Sequence, residues 1–305
     1  MTDFSNFSGV YAAAITPLDA EFNPALEDLP TFLSFLARRG CGGALLLGTT
    51  GEGVSFAPEE RLKIMRAALA VRQEHRNFRL LAGTGTPSLQ ETVELTRAAY
   101  DAGLDGVVVL PPYYYRKVHD DGLFAWFSLL LEKAVPAGAA LFGYHIPGVS
   151  GIALSLELLD RLKSKFPDRF AGVKDSSGDA DFARQLGERF GKDLIVLTGS
   201  DRLLSHSLAH QAAGCITALA NFSSPLLRQI WDAHQAGTAA ENAQQRLTAL
   251  RQVMDAYSPA PPSHKAVLAR RFGFPHWAVR PPLLSLSPEQ TAEMIGALDK
   301  AGAFL

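Results

Sequence analysis

The chain has 305 residues, a net charge of −2, 47% hydrophobic and 20% charged residues. This composition supplies ample apolar material for a core, and so small a charge gives no electrostatic reason to expect nucleic acid or an anionic membrane as a partner. No apolar run approaches the roughly 18 residues of a membrane span, and Met1-Thr2-Asp3-Phe4-Ser5-Asn6 lacks the basic start and apolar core of a signal peptide. Cys41 and Cys215 are the only cysteines, both among small or apolar neighbours. They are expected to be buried free thiols in a reducing compartment, which places the protein in the cytoplasm.

In chain order, Val10 to Ile15 is an apolar run closed by Thr16-Pro17, a strand and a turn. Leu29, Phe32, Leu33 and Leu36 give one apolar face to a helix from Leu26 to Arg39. Gly43 to Leu47 is the second strand, leading into Gly48-Thr49-Thr50-Gly51-Glu52, and Pro58-Glu59-Glu60 opens a helix with proline first and acids in its first turn. Phe78 to Ala82 is the third strand. Thr86-Pro87 is expected to be the cap and first residue of a helix reaching Ala102. The alternation continues with strands at Asp105–Leu110, Ala139–Tyr144, Phe170–Lys174, Leu194–Thr198 and Cys215–Ala218. The helices between them are Gly122–Lys133, Leu156–Lys165, Asp179–Phe190 and Arg202–Ala213.

Eight such units of about 25 residues define an α/β chain folded as a (β/α)8 barrel. A doubly wound open sheet fits less well. Gly83-Thr84-Gly85 is the nearest approach to a phosphate-binding glycine fingerprint, but Thr86-Pro87 follows where that motif needs its third glycine. After Pro225 the strands stop. Leu226–Gln235, Glu241–Tyr257 and Pro288–Leu298 are expected helices, the last opened by the capping box Ser287-Pro288-Glu289-Gln290. Ser258-Pro259-Ala260-Pro261-Pro262 is expected to be a stiff turn. The organisation is therefore a catalytic barrel over 1–225 and a helical extension over 226–305 packed on it or on another subunit.

The most informative stretch is Phe170-Ala171-Gly172-Val173-Lys174-Asp175-Ser176-Ser177-Gly178, where a buried strand ends in a lysine. An unpaired charge there is costly, so the amine is either paired or held neutral, and a neutral, desolvated amine attacks carbonyls. A lysine snorkelling out of a strand end would be the plainer account. The active site of such a barrel lies at the C-terminal ends of its strands, and these ends carry Thr49 and Thr50, Pro111-Pro112-Tyr113-Tyr114-Tyr115, Tyr144-His145-Ile146-Pro147, Lys174 and Gly199-Ser200-Asp201. A tight turn or interface packing explains each group alone, but not their convergence. Together they suit a lysine that forms an iminium with a 2-oxo acid. Backbone N–H groups of the Gly-Thr-Thr-Gly loop can hold the acid's carboxylate. Tyr144 can relay protons if its surroundings bring the phenol below its usual pKa of about 10.

On the motifs Gly48-Thr49-Thr50-Gly51-Glu52, Pro112-Tyr113-Tyr114, Tyr144-His145-Ile146-Pro147, Gly172 to Gly178 and Gly199-Ser200-Asp201, the chain resembles the dihydrodipicolinate synthase/N-acetylneuraminate lyase family of class I pyruvate aldolases, from about Gly9 to the end. The resemblance implies Lys174 as the Schiff-base lysine and Tyr144 as the proton relay. It implies that Thr49 links Tyr144 to Tyr114 of a neighbouring subunit in a homo-oligomer, a dimer or tetramer. It also implies Thr50 as the carboxylate-binding residue and Ile216 as lining the pyruvate site through its carbonyl, with Gly199, Asp201 and His145 as further substrate-binding candidates.

Two departures bear on the second substrate. Val149 stands where dihydrodipicolinate synthases carry the arginine that pairs with the aldehyde's carboxylate, and His145 stands where many members have asparagine. Ala218 stands near the place of the lyases' sugar-contacting serine. A 2-keto-3-deoxy sugar acid or related 2-oxo acid is therefore the expected substrate, for cleavage, condensation or dehydration. Condensation of pyruvate with aspartate semialdehyde is the alternative, for which Arg116 or Arg280 would have to replace the missing cation. His206 and His210, four apart on a predicted helix, lack a third ligand for a metal and suit a solvated face. A pyridoxal-phosphate lysine is disfavoured because no phosphate-binding loop follows the last two strands and iminium chemistry needs no cofactor. A 2-oxo acid sensor without turnover would not require the relay residues.

Overall fold

The computed structural model describes residues 2–303, so Met1 and the last two residues, the outer ends of the two expected segments, lie outside the described residues. Eight parallel strands close into a barrel in sequence order. They are β1 Gly9–Ala13, β2 Gly43–Leu46, β3 Arg79–Gly83, β4 Gly106–Val109, β5 Ala140–His145, β6 Phe170–Asp175, β7 Ile195–Thr198 and β8 Gly214–Thr217. Around them run α1 Asp28–Arg38, α2 Pro58–Ala68, α3 Leu89–Ala102, α4 Asp120–Ala134, the one-turn α5 Pro147–Ser150, α6 Leu156–Lys165, α7 Ala180–Phe190 and α8 Leu204–Ala209. The chain continues as α9 Ala220–Gln235, α10 Glu241–Asp255, α11 Ala260–Phe272 and α12 Pro288–Lys300.

Strand alternation divides the apolar side chains into two cores. Tyr11, Leu45, Leu81, Val108, Phe142, Tyr144, Leu197 and Ile216 fill the barrel. Their neighbours, such as Leu46, Leu80, Val107, Leu141 and Val196, face the helices. Phe4 and Phe7 join the inner group, with the ring of Phe7 edge-on to Phe142 at 5.3 Å.

Sequence chemistry sets most helix starts. Ser155 accepts from Leu158 N at 3.0 Å, Asp179 accepts from the amides of Asp181 and Phe182 at 2.9 and 3.0 Å, and Ser287 with Gln290 forms the expected reciprocal box. Elsewhere the structure corrects the expectation. The helix after β3 is capped by Ser88, which accepts from Glu91 N at 3.2 Å, whereas the hydroxyl of Thr86 donates to Ser88 O at 3.0 Å. The helix after β7 is shorter than 202–213, a 3-10 turn over Asp201–Leu203 followed by α8. Helix α9 begins at Ala220, ahead of the expected Leu226, and absorbs Pro225 by breaking helical geometry at Ser223 (φ −116°).

The largest correction concerns 258–262. Rather than a stiff turn, this segment starts α11, with Pro259 at the cap and Pro261 and Pro262 in the first turn. There a proline's missing N–H has no intrahelical partner to lose. Helices α10 and α11 pack on α9, and α12 packs on both, so the tail lies against the barrel wall. Among the described residues no helix is long and apolar enough to cross a membrane, and both cysteines are free and buried.

Candidate active site

Lys174 owes its direction to an irregularity in β6. The register against β5 pairs Leu141 with Phe170 but Phe142 with Gly172, leaving Ala171 as an extra residue. Phe170 and Val173 consequently both face the helices, which an unbroken strand forbids for residues three apart. The shift turns Lys174 inward, opposite Tyr144. The amine Nζ lies 4.1 Å from the centre of the Tyr144 ring, and both residues are buried, at 3% and 4% exposure.

Tyr144 Oη meets Thr49 Oγ1 at 3.4 Å. Burial alone would raise the phenol's pKa. The charge of Lys174 and hydrogen bonding to Thr49, Lys174 and Ser176 outweigh it and hold the phenol below its ordinary value of 10. This is the condition a relay tyrosine has to meet. Gly199 follows β7 and packs closely on the end of β6, where a Cβ would come within 1.9 Å of Ser176 Oγ and 3.2 Å of Asp175 O. Ile216 belongs to the barrel interior. Thr50 is buried in the turn closed by Glu52 N donating to Thr49 O at 3.2 Å and Gly53 N to Gly48 O at 3.1 Å.

The other candidates lie elsewhere. Tyr114 is 76% exposed, with its ring edge-on to that of Tyr115 at 5.4 Å. His145, next to Tyr144, points to the opposite side of the sheet. Its Nδ1 accepts from Leu154 N at 2.9 Å, its ring stacks on Phe182 at 4.4 Å, and burial drives its pKa down to about 4. Asp201 is buried and faces Arg251 of α10 at 3.5 Å, with burial pushing its carboxyl pKa up. His206 gives Nε2 to Ala180 O at 2.9 Å, and among the described residues no group of three or more metal-ligating side chains assembles.

A cavity of about 250 Å³ opens over the strand ends, and its lining includes Thr49, Tyr144, Val149, Val54, Arg61 and Tyr113. Sequence reasoning missed Arg61, which lies on a helix instead of a strand end. The signal was its spacing. Arg61 shares the buried face of α2 with Ile64, Met65 and Ala68, where a cation is out of place unless it is used. It is 4% exposed, donates Nε to Phe56 O at 3.1 Å, and has its pKa lowered by burial against the pull of Glu91 and Tyr113.

Of the two arginines expected to replace the cation absent at Val149, Arg280 does not reach the cavity. Its guanidinium pairs with Glu60, donates to Ser55 O at 2.7 Å and Phe22 O at 3.0 Å, and lies over the Phe56 ring. Arg116 is exposed, and its aliphatic stem lies against Gly151, immediately beyond the turn that carries Val149.

A strand-end lysine with its amine against a phenol, inside a (β/α)8 barrel, is the arrangement of a class I, Schiff-base-forming lyase. A family model described as the dihydrodipicolinate synthetase family matches residues 6–301, and the chain belongs to that family. An uncharacterized DapA-like lyase of Chloroflexus aurantiacus is 40% identical, with 96% of each chain covered. The crystal structure of dihydrodipicolinate synthase from Agrobacterium tumefaciens matches at a TM-score of 0.86 and 31% identity, covering 97% of this chain and 99% of that one. That of YagE from E. coli, a prophage protein of the dihydrodipicolinic acid synthase family in complex with pyruvate, matches at 0.89 and 26%, with coverage of 97% and 99%.

Proposed function

We propose that Lys174 forms a Schiff base with pyruvate, or with the 2-oxo acid unit of a larger substrate, and that the physiological substrate is a 2-keto-3-deoxy sugar acid or a related hydroxylated 2-oxo acid. The observation that carries the reading is the amine of Lys174 set 4.1 Å from the centre of the Tyr144 ring. In the cleavage direction the amine adds to the C2 carbonyl, and a proton reaches the departing oxygen through Tyr144, so that water leaves and an iminium remains. Tyr144 then takes the proton of the C4 hydroxyl as the C3–C4 bond breaks. An aldehyde departs and the electron pair is held as an enamine. Protonation of the enamine and hydrolysis release pyruvate and the free lysine.

Thr49 orients the Tyr144 hydroxyl, and the backbone N–H groups around Thr50 receive the substrate carboxylate. Gly199 and the carbonyl of Ile216 border the pyruvate end. Tyr114, exposed on its own protomer, completes the relay from a second copy in a dimer or tetramer. The buried free thiols suit a cytoplasmic protein. Asp201 and His145 act through the loops that they brace instead of touching substrate.

The test is a screen of 2-oxo acids for pyruvate release, combined with borohydride trapping and mass spectrometry. Label on Lys174 is expected; label on Lys163 or Lys165, or none, would refute the reading. A second reading, condensation of pyruvate with aspartate semialdehyde, draws its support from Arg116 beside the Val149 turn and from Arg61 in the cavity wall. Efficient turnover of that pair would establish it.

A further inference from the structure

Behind the Gly48–Gly53 loop lies a buried ion pair that the chemistry above does not use. Glu52 Oε1 accepts from Lys265 Nζ at 2.6 Å, with side-chain exposures of 0% for the acid and 2% for the amine. The second carboxylate oxygen accepts from Arg280 N at 3.0 Å, and Lys265 also donates to Ala278 O at 2.6 Å. One carboxylate thus joins the loop bearing Thr49 and Thr50 to α11 and to the strap that follows it.

We propose that Glu52 and Lys265 are a positioning pair, through which the C-terminal helical tail sets where Thr49 and Thr50 stand relative to Lys174 and Tyr144. The proposal rests on the Schiff-base reading of that site. Its first support is local backbone conformation. Glu52 adopts the left-handed region at φ 55° and ψ 27°, where glycine would be the cheaper residue. The turn alone does not call for glutamate, whereas the carboxylate's two partners do.

The second support is the lack of slack around it. A Cβ at Gly53 would come within 1.9 Å of Leu47 O, and one at Gly51 within 2.7 Å of Ala14 O. Gly51 O also accepts from Thr16 Oγ1 at 2.7 Å. A loop wedged this closely transmits a shift of Glu52 to Thr49 and Thr50, and misplacing a reacting group by about 1 Å can cost roughly 10²-fold in rate.

The third support is the anchoring of the far side. Ala278 N donates to Leu18 O at 3.2 Å, Trp277 Nε1 donates to Asp28 Oδ2 at 2.7 Å, and Arg280 is fastened to Glu60 and Ser55. Lys265, whose pKa burial lowers against the pull of Glu52, therefore stands on a fixed support. A buried pair is poor evidence for added stability, and here it links two parts of the chain that share no strand.

The experiment uses the full-length variants Glu52→Gln, Lys265→Met and the double substitution. It reads thermal melting, the pyruvate concentration that half-saturates borohydride labelling of Lys174, and KM and kcat separately. Each single variant leaves one buried charge without its counter-charge and should melt lower. The double variant leaves no unpaired charge and should regain much of that loss. All three should nevertheless need roughly 10-fold or more pyruvate for half-labelling, with KM rising accordingly. If a single variant does not fold, the double variant decides. Labelling and KM unchanged in every folded variant, or recovering together with the melting temperature in the double, would overturn the proposal. No adduct on the unmodified chain would instead overturn the Schiff-base reading, and this proposal with it.

Discussion

Tyr144 and Lys174 are direct register partners across β5 and β6, and the extra residue at Ala171 is what makes them so. Gly172 permits the bulge, because a Cβ there would come within 2.0 Å of Ile195 O on β7. Backbone crowds that position, so no rotamer change can relieve the collision. Gly172→Ala is expected to destabilise the chain by at least ~1–3 kcal/mol, the usual range for overpacking. It should also lower labelling of Lys174 by pyruvate in whatever fraction remains folded. Chemical denaturation with parallel borohydride trapping checks both, and a variant with native stability and full labelling would show that β6 relaxes freely.

Tyr144→Phe removes one hydroxyl and leaves the ring against Lys174. Loss of a general acid–base group usually costs about 10²–10⁴-fold, and the fall is expected in kcat. Labelling of Lys174 should persist at a slower rate. Near-normal kcat would assign proton transfer to a water, since His145 is turned away to Leu154 and Phe182.

How legible the site was depended on where each group lies. Lys174 and Tyr144 lie in the last residues of their strands and Thr49, Thr50 and Gly199 just beyond theirs, and a barrel places such residues at one mouth whatever the details of packing. The bulge was not legible, because Ala171-Gly172-Val173 suits a straight or a bulged strand equally, and it shows only in the pairing of β6 with its neighbours. Arg61 and Lys265 stand on helices whose buried faces touch the site loops from behind, a relationship that local pattern does not encode. Helix α11 was missed for a related reason, since Pro261 and Pro262 signal a turn until the register shows that they occupy its first turn. The C-terminal tail was visible as helices, but its contact with Glu52 depends on tertiary packing alone.

Acid should unfold the protein through two buried imidazoles. Burial lowers the pKa of His145 to about 4. In His264, burial first and Arg251 second lower it to about 3. Between these values and the ordinary 6.5 the unfolded chain binds protons that the folded chain does not. The stability contributed by the neutral forms is therefore complete above 6.5 and declines as pH falls towards 4 and 3. At pH 5 the loss is on the order of 2 kcal/mol from each residue. Melting curves at pH 7.5 and 5 should show it, and His264→Asn should flatten the dependence. An unchanged slope in that variant would mean that the imidazole gains a proton without unfolding.

The identity of the second substrate turns on one position. Val149 is 61% exposed at the cavity rim and offers apolar surface where a carboxylate-bearing aldehyde needs a cation. A hydrogen bond to a charged group contributes about 1.5–3 kcal/mol, which corresponds to roughly 10–150-fold in transition-state stabilisation. Val149→Arg supplies a bidentate donor at an exposed position, where stability should change little. It is expected to raise kcat/KM for condensation of pyruvate with aspartate semialdehyde by that factor and to lower turnover of uncharged hydroxy-aldehyde partners. If the unmodified chain already condenses the pair efficiently and Val149→Arg adds nothing, the cation is already in place. Arg116→Ala and Arg61→Ala would then identify which residue supplies it, by a rise in KM for the semialdehyde without a matching rise for pyruvate.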